Sequence, residues 1–465
     1  MGYRDRYSEN MRNKLNDLTY RSMIRNFWYR FDSNFQEMFI GTFSALTLRL
    51  TGALLQFAFN VLLARLLGAR GVGLYSLALS ISTLCSCLSR WGMDQAVIKI
   101  CAIKADQNLW SDVKLSVSKG CRFIMLVGGV ISVAVWLAAP MLATRVFNDA
   151  DLVFPIRFMS LSIVPFSLLN LIAEALRGLK KILHSTFLQA VCVPLFSGIL
   201  FVAASLAKIT ITGALFAYLT ATIITTFIGI WVWKRALPSD ERMTIPGCMS
   251  IRDILVLSIP MGWATVMVMI MGMAGSIVLG IFGTSEVIGI YSAALRLSML
   301  MTIALLAVNS ITAPKFAALY NSQELHDLEK LAQRANILML LIASPLLLLY
   351  FTFPSLVMGI FGNEFRQGGV ILRVLTIGQT FTLITGSVGN LLLMTRYENV
   401  MKWINVTAAL SNIFLSFLLV PFWGGLGAAW AHAISLVLLN IFAFFSVWKL
   451  LQLSAMPFWK RTQPN

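Results

Sequence analysis

Twelve mainly apolar runs, each long enough to cross a lipid bilayer, account for most of the sequence. A membrane-spanning helix needs about 20 such residues to cross a hydrocarbon core about 30 Å thick. The runs have approximate limits of 40–64, 72–93, 119–143, 154–176, 182–205, 209–233, 254–281, 286–311, 333–358, 369–392, 401–421 and 425–450. They predict an all-α polytopic membrane protein with twelve transmembrane helices.

Composition and charge placement support this prediction. Hydrophobic residues make up 58% of the 465 residues and charged residues only 12%, which excludes an ordinary soluble enzyme. The net charge of +17 would suggest a nucleic-acid partner on a soluble chain. Here 28 of the 37 Lys and Arg residues fall in the tails and even-numbered loops, against 7 in the odd-numbered loops. This bias predicts that both termini are cytoplasmic and that no nucleic acid is a partner.

The two halves of the chain resemble each other. The string GLYSLALSI from Gly73 returns as GIYSAALRL from Gly289, with five identities in nine at an offset of 216. The same offset pairs Arg157 with Arg373. Each half holds six spans, so both halves enter the membrane in the same direction. The repeat therefore predicts two parallel six-helix bundles around a central cavity, as in transporters.

The predicted organisation has five parts. They are a cytoplasmic tail with an interfacial amphipathic helix (1–39), an N-terminal bundle (40–235), a cytoplasmic linker (236–253), a C-terminal bundle (254–451) and a second tail (452–465). The amphipathic helix is inferred from an aromatic and aliphatic stripe between Ile24 and Met38, flanked by arginines. The alternative for that stripe is an extension of the first span.

Two segments carry a family resemblance. The stretch from Asn60 to Lys99, NVLLARLLGARGVGLYSLALSISTLCSCLSRWGMDQAVIK, and the later EALRGLKK from Glu174 resemble the Wzx-like polysaccharide flippases. These belong to the multidrug/oligosaccharidyl-lipid/polysaccharide superfamily. The resemblance implies export of a polyprenyl-pyrophosphate-linked oligosaccharide, with a polysaccharide polymerase and export machinery as candidate partners. The long N-terminal extension is not a common feature of the family.

One face of span one predicts part of the binding site. Arg49 is expected about 12 Å below the membrane surface, and Arg296 of span eight at a similar depth. A mid-membrane arginine should face protein or water, and its guanidinium fork suits a pyrophosphate. The stripe on span one comprises Thr42, Ala45, Arg49, Gly52, Gln56 and Asn60. Its members, like Gly272 and Ser276 of span seven, serve either as cavity lining or as helix-packing positions.

The remaining candidates are less specific. Arg157 and Arg373, just inside their spans, are either cavity residues or interfacial anchors. No Asp or Glu lies as deep as the two arginines, and Glu174, Asp94 and Glu286 are expected at solvated ends or in salt bridges.

No enzyme or cofactor is expected, because no Gly-Lys dipeptide and therefore no Walker-type phosphate loop is present. The alternatives to a flippase are a drug or cation antiporter of the same superfamily, which should carry a buried carboxylate in its first half, and a membrane polysaccharide polymerase or glycosyltransferase.

Overall fold

The computed structural model describes residues 33–206, 211–238 and 251–453, except for a few side chains within these ranges. The chain forms two compact units, residues 1–47 and 48–465. The first unit supplies the helical backbone from Ser33, and the second contains the rest of that helix and all the other described helices. Most of the predicted surface helix, most of the linker and most of the C-terminal tail lie outside the described residues.

All described secondary structure is helical. The first half contains α1 Ser33–Arg90, α2 Met93–Asp106, α3 Trp110–Met141, α4 Val153–Ser160, α5 Ile163–Gly178, α6 Ile182–Thr186, α7 Val193–Leu206 and α8 Ile211–Ala236. The second contains α9 Ile251–Phe282, α10 Ser285–Met299, α11 Thr302–Asn321, α12 Leu325–Thr352, α13 Pro354–Met358, α14 Gly369–Thr385, α15 Val388–Met394, α16 Glu398–Trp423 and α17 Gly425–Leu450. Short 3₁₀ and π-helical turns join several of them.

The predicted twelve spans are present. Among the described residues, ten helices are long and apolar enough to cross a membrane, and a pair bent by 42°, Ala150–Ser160 with Ile163–Gly178, forms one more span. The helical stretch Ser44–Arg90 counts as one of the ten, yet its 47 residues would measure about 70 Å. Gly68 divides it, because its backbone is non-helical there (φ 66°, ψ −177°). Spans one and two therefore meet at Gly68, and the fold is a twelve-helix membrane bundle.

The helices turn at two ends of the bundle. One end, called the Gly68 end, holds the turns at residues 68, 147–149, 283–284, 353–368 and 424. The opposite end, called the Asn108 end, holds the turns at 107–109, 179–181, 322–324 and 395–397. The charge census predicts that the Gly68 end is external.

Several spans are broken rather than continuous. Span two is interrupted at Trp91 and Gly92, both with positive φ, between α1 and α2. Span five contains a π-helical segment, Phe187–Cys192, between α6 and α7. Span ten breaks at Gly386 (φ 59°), where the Asn336 side chain donates to the Thr385 carbonyl at 3.0 Å and accepts from the Ser387 amide at 3.0 Å. These contacts replace the helical bonds that the break removes.

The repeated glycines meet each other across the two halves. A Cβ added to Gly73 would lie 1.7 Å from the Ser285 carbonyl oxygen, and one added to Gly289 would lie 2.0 Å from that of Ala69. Ala69 and Ser285 are themselves related by the offset of 216, so the crossing of spans two and eight is a pseudo-twofold contact. Glycine is required because only an absent side chain permits this backbone approach.

Two carboxylates close the Gly68 end beside this crossing. The Ser285 hydroxyl donates to Asp149 at 2.6 Å, and the Ala69 amide donates to Glu364 at 2.9 Å. Each bond joins one half to the other. The two halves are therefore held together at the Gly68 end.

Candidate substrate-binding cavity

A cavity lies within the first half of the bundle, and its wall is mainly apolar with a few polar side chains. It has a volume of about 480 Å³ and is lined by spans one, two, four, five and six. Span eight adds one residue, Arg296. Tyr75 and Tyr218 form an aromatic part of the wall, with ring centroids 6.4 Å apart in an edge-to-face arrangement.

Arg296 reaches across from the second half to the first. It lies 11 residues after Ser285, which is about 16 Å from the Gly68 end of the bundle. Its guanidinium donates to the Asn60 side-chain oxygen on span one and, at 3.4 Å, to the Ser76 hydroxyl on span two. Both acceptors are neutral, so these bonds leave the positive charge of Arg296 available to an anion.

Arg49 lies nearer the Asn108 end than the sequence predicts. Arg49 precedes Asn60, the partner of Arg296, by 11 residues on the same helix, or about 16 Å along its axis. The expected common depth with Arg296 is therefore wrong, because span one continues past its predicted end at residue 64 to Gly68, which puts Arg49 19 residues, or about 28 Å, from the Gly68 end. Arg49 is exposed and, among the described residues, makes no hydrogen bond or ion pair. It is close enough to Arg177 and Glu174 to interact electrostatically with both.

Glu174, Arg177 and Gln189 form a closed ring of contacts beside Arg49. Arg177 pairs with Glu174 at 2.9 Å and donates to the Gln189 oxygen at 3.1 Å, while the Gln189 amide donates to Glu174 at 3.0 Å. Gln189 also lines the cavity, from the π-helical segment of span five. The predicted salt bridge of Glu174 is confirmed, but its carboxylate is buried rather than solvated.

The absence of a buried acid from the first half, expected from the sequence, is therefore wrong. Asp94 and Asp112 are buried as well as Glu174. Each is neutralised by a cation, since Asp94 pairs with Arg90 at 3.0 Å and Asp112 with Lys104 at 3.2 Å. These ion pairs leave the cavity region with excess positive charge from Arg49 and Arg296.

The stripe on span one divides between lining and packing. Gln56 and Asn60 line the cavity, and the Gln56 amide donates to the Asn60 oxygen at 3.4 Å. Gly52 lines it too, but it also packs closely on span five, because an added Cβ would lie 2.3 Å from the Ala190 carbonyl oxygen. An added Cβ at Gly272 would have no neighbour within 4 Å, so close packing does not explain that glycine.

Arg157 and Arg373 are not brought into the cavity. The Arg157 guanidinium stacks 4.7 Å from the centre of the Trp136 ring, and its Nε is buried without a hydrogen bond. Arg373 is exposed and donates to the Phe351 carbonyl at 3.1 Å. These contacts favour the interfacial alternative for both residues.

Sequence reasoning overlooked Tyr75, Tyr218, Gln189 and Arg177. The two tyrosines resemble core residues, and Arg177 resembles an interfacial cation. Gln189 carried a usable signal, because it is a polar residue in the middle of an apolar span.

Comparison with known proteins identifies relatives of the chain. Residues 39–320 match the family described as "Polysaccharide biosynthesis protein". The capsular polysaccharide biosynthesis protein CapF of Staphylococcus aureus is 25% identical over 209 residues. That match covers 42% of this chain and 50% of CapF, so the chain spans about half the length of this relative.

Two solved structures share the fold over nearly the whole chain. The lipid II flippase MurJ in an inward closed conformation has a TM-score of 0.70 at 16% identity, covering 88% of this chain and 87% of MurJ. An inward-facing MATE family transporter of the MOP superfamily has a TM-score of 0.72 at 14% identity, covering 89% of this chain and 98% of the transporter. The chain thus belongs to the polysaccharide biosynthesis family, and its fold is the one found in MurJ and in the MATE transporter.

Proposed function

We propose that this protein is a transporter that flips a polyprenyl-pyrophosphate-linked oligosaccharide, such as an O-antigen, capsule or exopolysaccharide repeat unit, across the bacterial inner membrane by alternating access. In this proposal the termini are cytoplasmic and the Gly68 end faces outward. The headgroup travels through the cavity, and the polyprenyl tail stays in the surrounding lipid.

The charge of the cavity region carries the proposal. Arg296 lines the cavity and, in the part of the chain that the structure describes, bonds only to neutral oxygens. Arg49 lies on the face of span one that carries Gly52 and Gln56, one turn beyond the cavity. An arginine fork donates two parallel, charge-assisted bonds to a phosphate. We infer that Arg49 receives the pyrophosphate at the mouth and that Arg296 holds it deeper in the membrane.

The names of the relatives support the same substrate class. CapF is named for capsular polysaccharide biosynthesis, and MurJ is named as a flippase of lipid II. The similarity to the MATE transporter supports the alternative function, a drug antiporter. We favour the flippase because excess positive charge repels a cationic drug and attracts an anionic lipid headgroup.

A charge series at Arg296 tests the proposal. We expect Lys to retain partial export, Ala to reduce it and Glu to nearly abolish it, because charge is kept, lost and reversed in turn. Export is measured as surface polysaccharide and as lipid-linked repeat units that accumulate inside the cell, at matched membrane levels of each variant.

A control separates the cavity from general surface charge. Arg145→Glu makes the same reversal at an exposed arginine that does not line the cavity. We expect Arg145→Glu to export at the wild-type rate. Wild-type export by Arg296→Glu, or accumulation of an incomplete repeat unit in a deletion strain, would contradict the proposal.

A further inference from the structure

Arg296 connects the two halves as well as lining the cavity. It belongs to span eight, whereas its acceptors, Asn60 and Ser76, belong to spans one and two. Spans two and eight cross where Gly73 meets Gly289, and we call this contact the glycine crossing. Ser76 lies one turn beyond Gly73, and Arg296 two turns beyond Gly289, so the bonds of Arg296 adjoin the glycine crossing. On the opposite side of the crossing lie the carboxylate contacts of the Gly68 end. The bonds of Arg296 therefore help to keep that end closed.

The same donors are needed by an anionic substrate. A phosphate oxygen carries a negative charge that a neutral amide oxygen lacks, so it attracts a guanidinium more strongly, and a phosphate can accept two of its parallel donors at once. Asn60 is buried, and its oxygen also accepts from Gln56, which leaves it little freedom to follow Arg296 toward a ligand. Phosphate binding and the bond to Asn60 therefore compete.

We propose that Arg296 is a latch between the two halves and that the anionic group of the substrate releases it. Without substrate, Arg296 holds the Gly68 ends together through Asn60 and Ser76, which act as positioning residues. With substrate, its donors turn to the phosphate, the contact between the halves is lost and the open state becomes more populated. The identity of the anion rests on the proposed function, whereas the latch rests on the geometry alone. A ligand can shift the equilibrium in this way only because it binds the open state better.

The separation of the two halves at the Gly68 end is directly measurable. Asn148 and Gln367 are exposed, lie near that end and belong to different halves. Spin labels at Asn148→Cys and Gln367→Cys, in protein whose natural cysteines are replaced, report this distance by pulsed electron paramagnetic resonance in lipid nanodiscs. Inorganic pyrophosphate serves as the probe anion.

Substitutions at the acceptors test the latch without any anion. Asn60→Ala removes the main acceptor, and we expect the ratio of long to short distances to rise about tenfold, equivalent to about 1.4 kcal/mol. Ser76→Ala should give a smaller rise, because its contact of 3.4 Å is long. Ser80→Ala is the matched control on the same helix, because the Ser80 hydroxyl donates to the Ser76 carbonyl at 2.8 Å within that helix. It should leave the distances unchanged.

Asn60→Asp tests the release step. It keeps the shape of Asn60 but gives Arg296 a permanent anionic partner, so the short distance should persist in the presence of pyrophosphate. The wild-type protein should shift to long distances at the same pyrophosphate concentration. Elution as a single species and the wild-type melting temperature show that each variant is folded.

The outcomes separate the two proposals. If Asn60→Ala and Ser80→Ala give the same distances as wild type, the latch is wrong whether or not pyrophosphate binds. If Asn60→Ala shifts the distances but wild type does not bind pyrophosphate, the latch stands and the proposed function fails. Pyrophosphate that binds wild type without moving the labels would overturn the release step.

Discussion

Adding a methyl group at the crossing of spans two and eight should force the Gly68 end open. In Gly73→Ala the new carbon would lie 1.7 Å from the Ser285 oxygen, against the 3.4 Å at which ordinary contact begins, so the helices must separate by about 1.7 Å. The Ser285–Asp149 bond of 2.6 Å would then exceed the 3.5 Å limit of a hydrogen bond. The steric clash and the loss of the Ser285–Asp149 bond both raise the free energy of the closed state, in which spans two and eight touch, and not that of the open state.

The size of the shift follows from the cost of overpacking. Inserting a methyl into a packed interface typically costs 1–3 kcal/mol, or about 5- to 150-fold in the ratio of closed to open protein. The distance between spin labels at residues 148 and 367 measures this ratio. Gly289→Ala should act similarly, since its methyl would lie 2.0 Å from the Ala69 oxygen.

A glycine in open space provides the control for this prediction. Gly198, on span five, has no atom within 4 Å of an added Cβ. Gly198→Ala should therefore leave the distance unchanged and stabilise the helix by about 0.5–1 kcal/mol, as alanine usually does in place of glycine. If Gly73→Ala behaved like Gly198→Ala in both distance and melting temperature, the close crossing would be refuted.

Three further predictions concern other parts of the molecule. Glu174→Gln removes the acid that neutralises Arg177 beside the cavity, which should be worth about 1–2 kcal/mol of Coulomb energy to a bound anion at an effective dielectric constant of 20. Pyrophosphate should therefore bind the purified variant roughly 5- to 30-fold more tightly by calorimetry. Unchanged binding would place Arg177 outside the anion's path. A single cysteine at Asn148 should react with an impermeant maleimide in intact cells, and labelling only after permeabilisation would reverse the proposed orientation. Gly386→Ala should lower the melting temperature and reduce export. The φ of Gly386 is 59°, which disfavours a side chain, and an added Cβ would lie 2.0 Å from the Asn336 oxygen. A wild-type melting temperature would contradict this tight fit.

The number of spans and the repeat were predictable from the sequence. Length and apolarity mark a membrane helix directly, and the repeated glycine motif identified the equivalent spans two and eight. The meeting of Gly73 with Gly289 was not predictable, because a sequence repeat shows which residues are equivalent without showing which of them touch.

The breaks within spans and the depth of the arginines were harder to predict from the sequence. Gly92 and Gly386 adopt positive φ where spans two and ten break. The other glycines of these two spans lie in regular helix, so the presence of a glycine does not show where a span breaks. The depth of Arg49 depends on where span one ends, and the charged Arg65 gave no sign that the helix continues to Gly68. Glu174 was expected at a solvated end because hydropathy does not show that Arg177 and Gln189 surround its carboxylate.

The glycine crossing also bears on ancestry. A contact in which each copy offers the same patch to the other is the interface of a twofold homodimer. A six-span chain with one such glycine would already present a self-complementary interface, and joining two copies in one gene would preserve it. The two copies now differ near this contact, since the position of Arg296 in the second half is Ser80 in the first. A homodimer would carry either two arginines or none at this point, whereas the fused chain carries one.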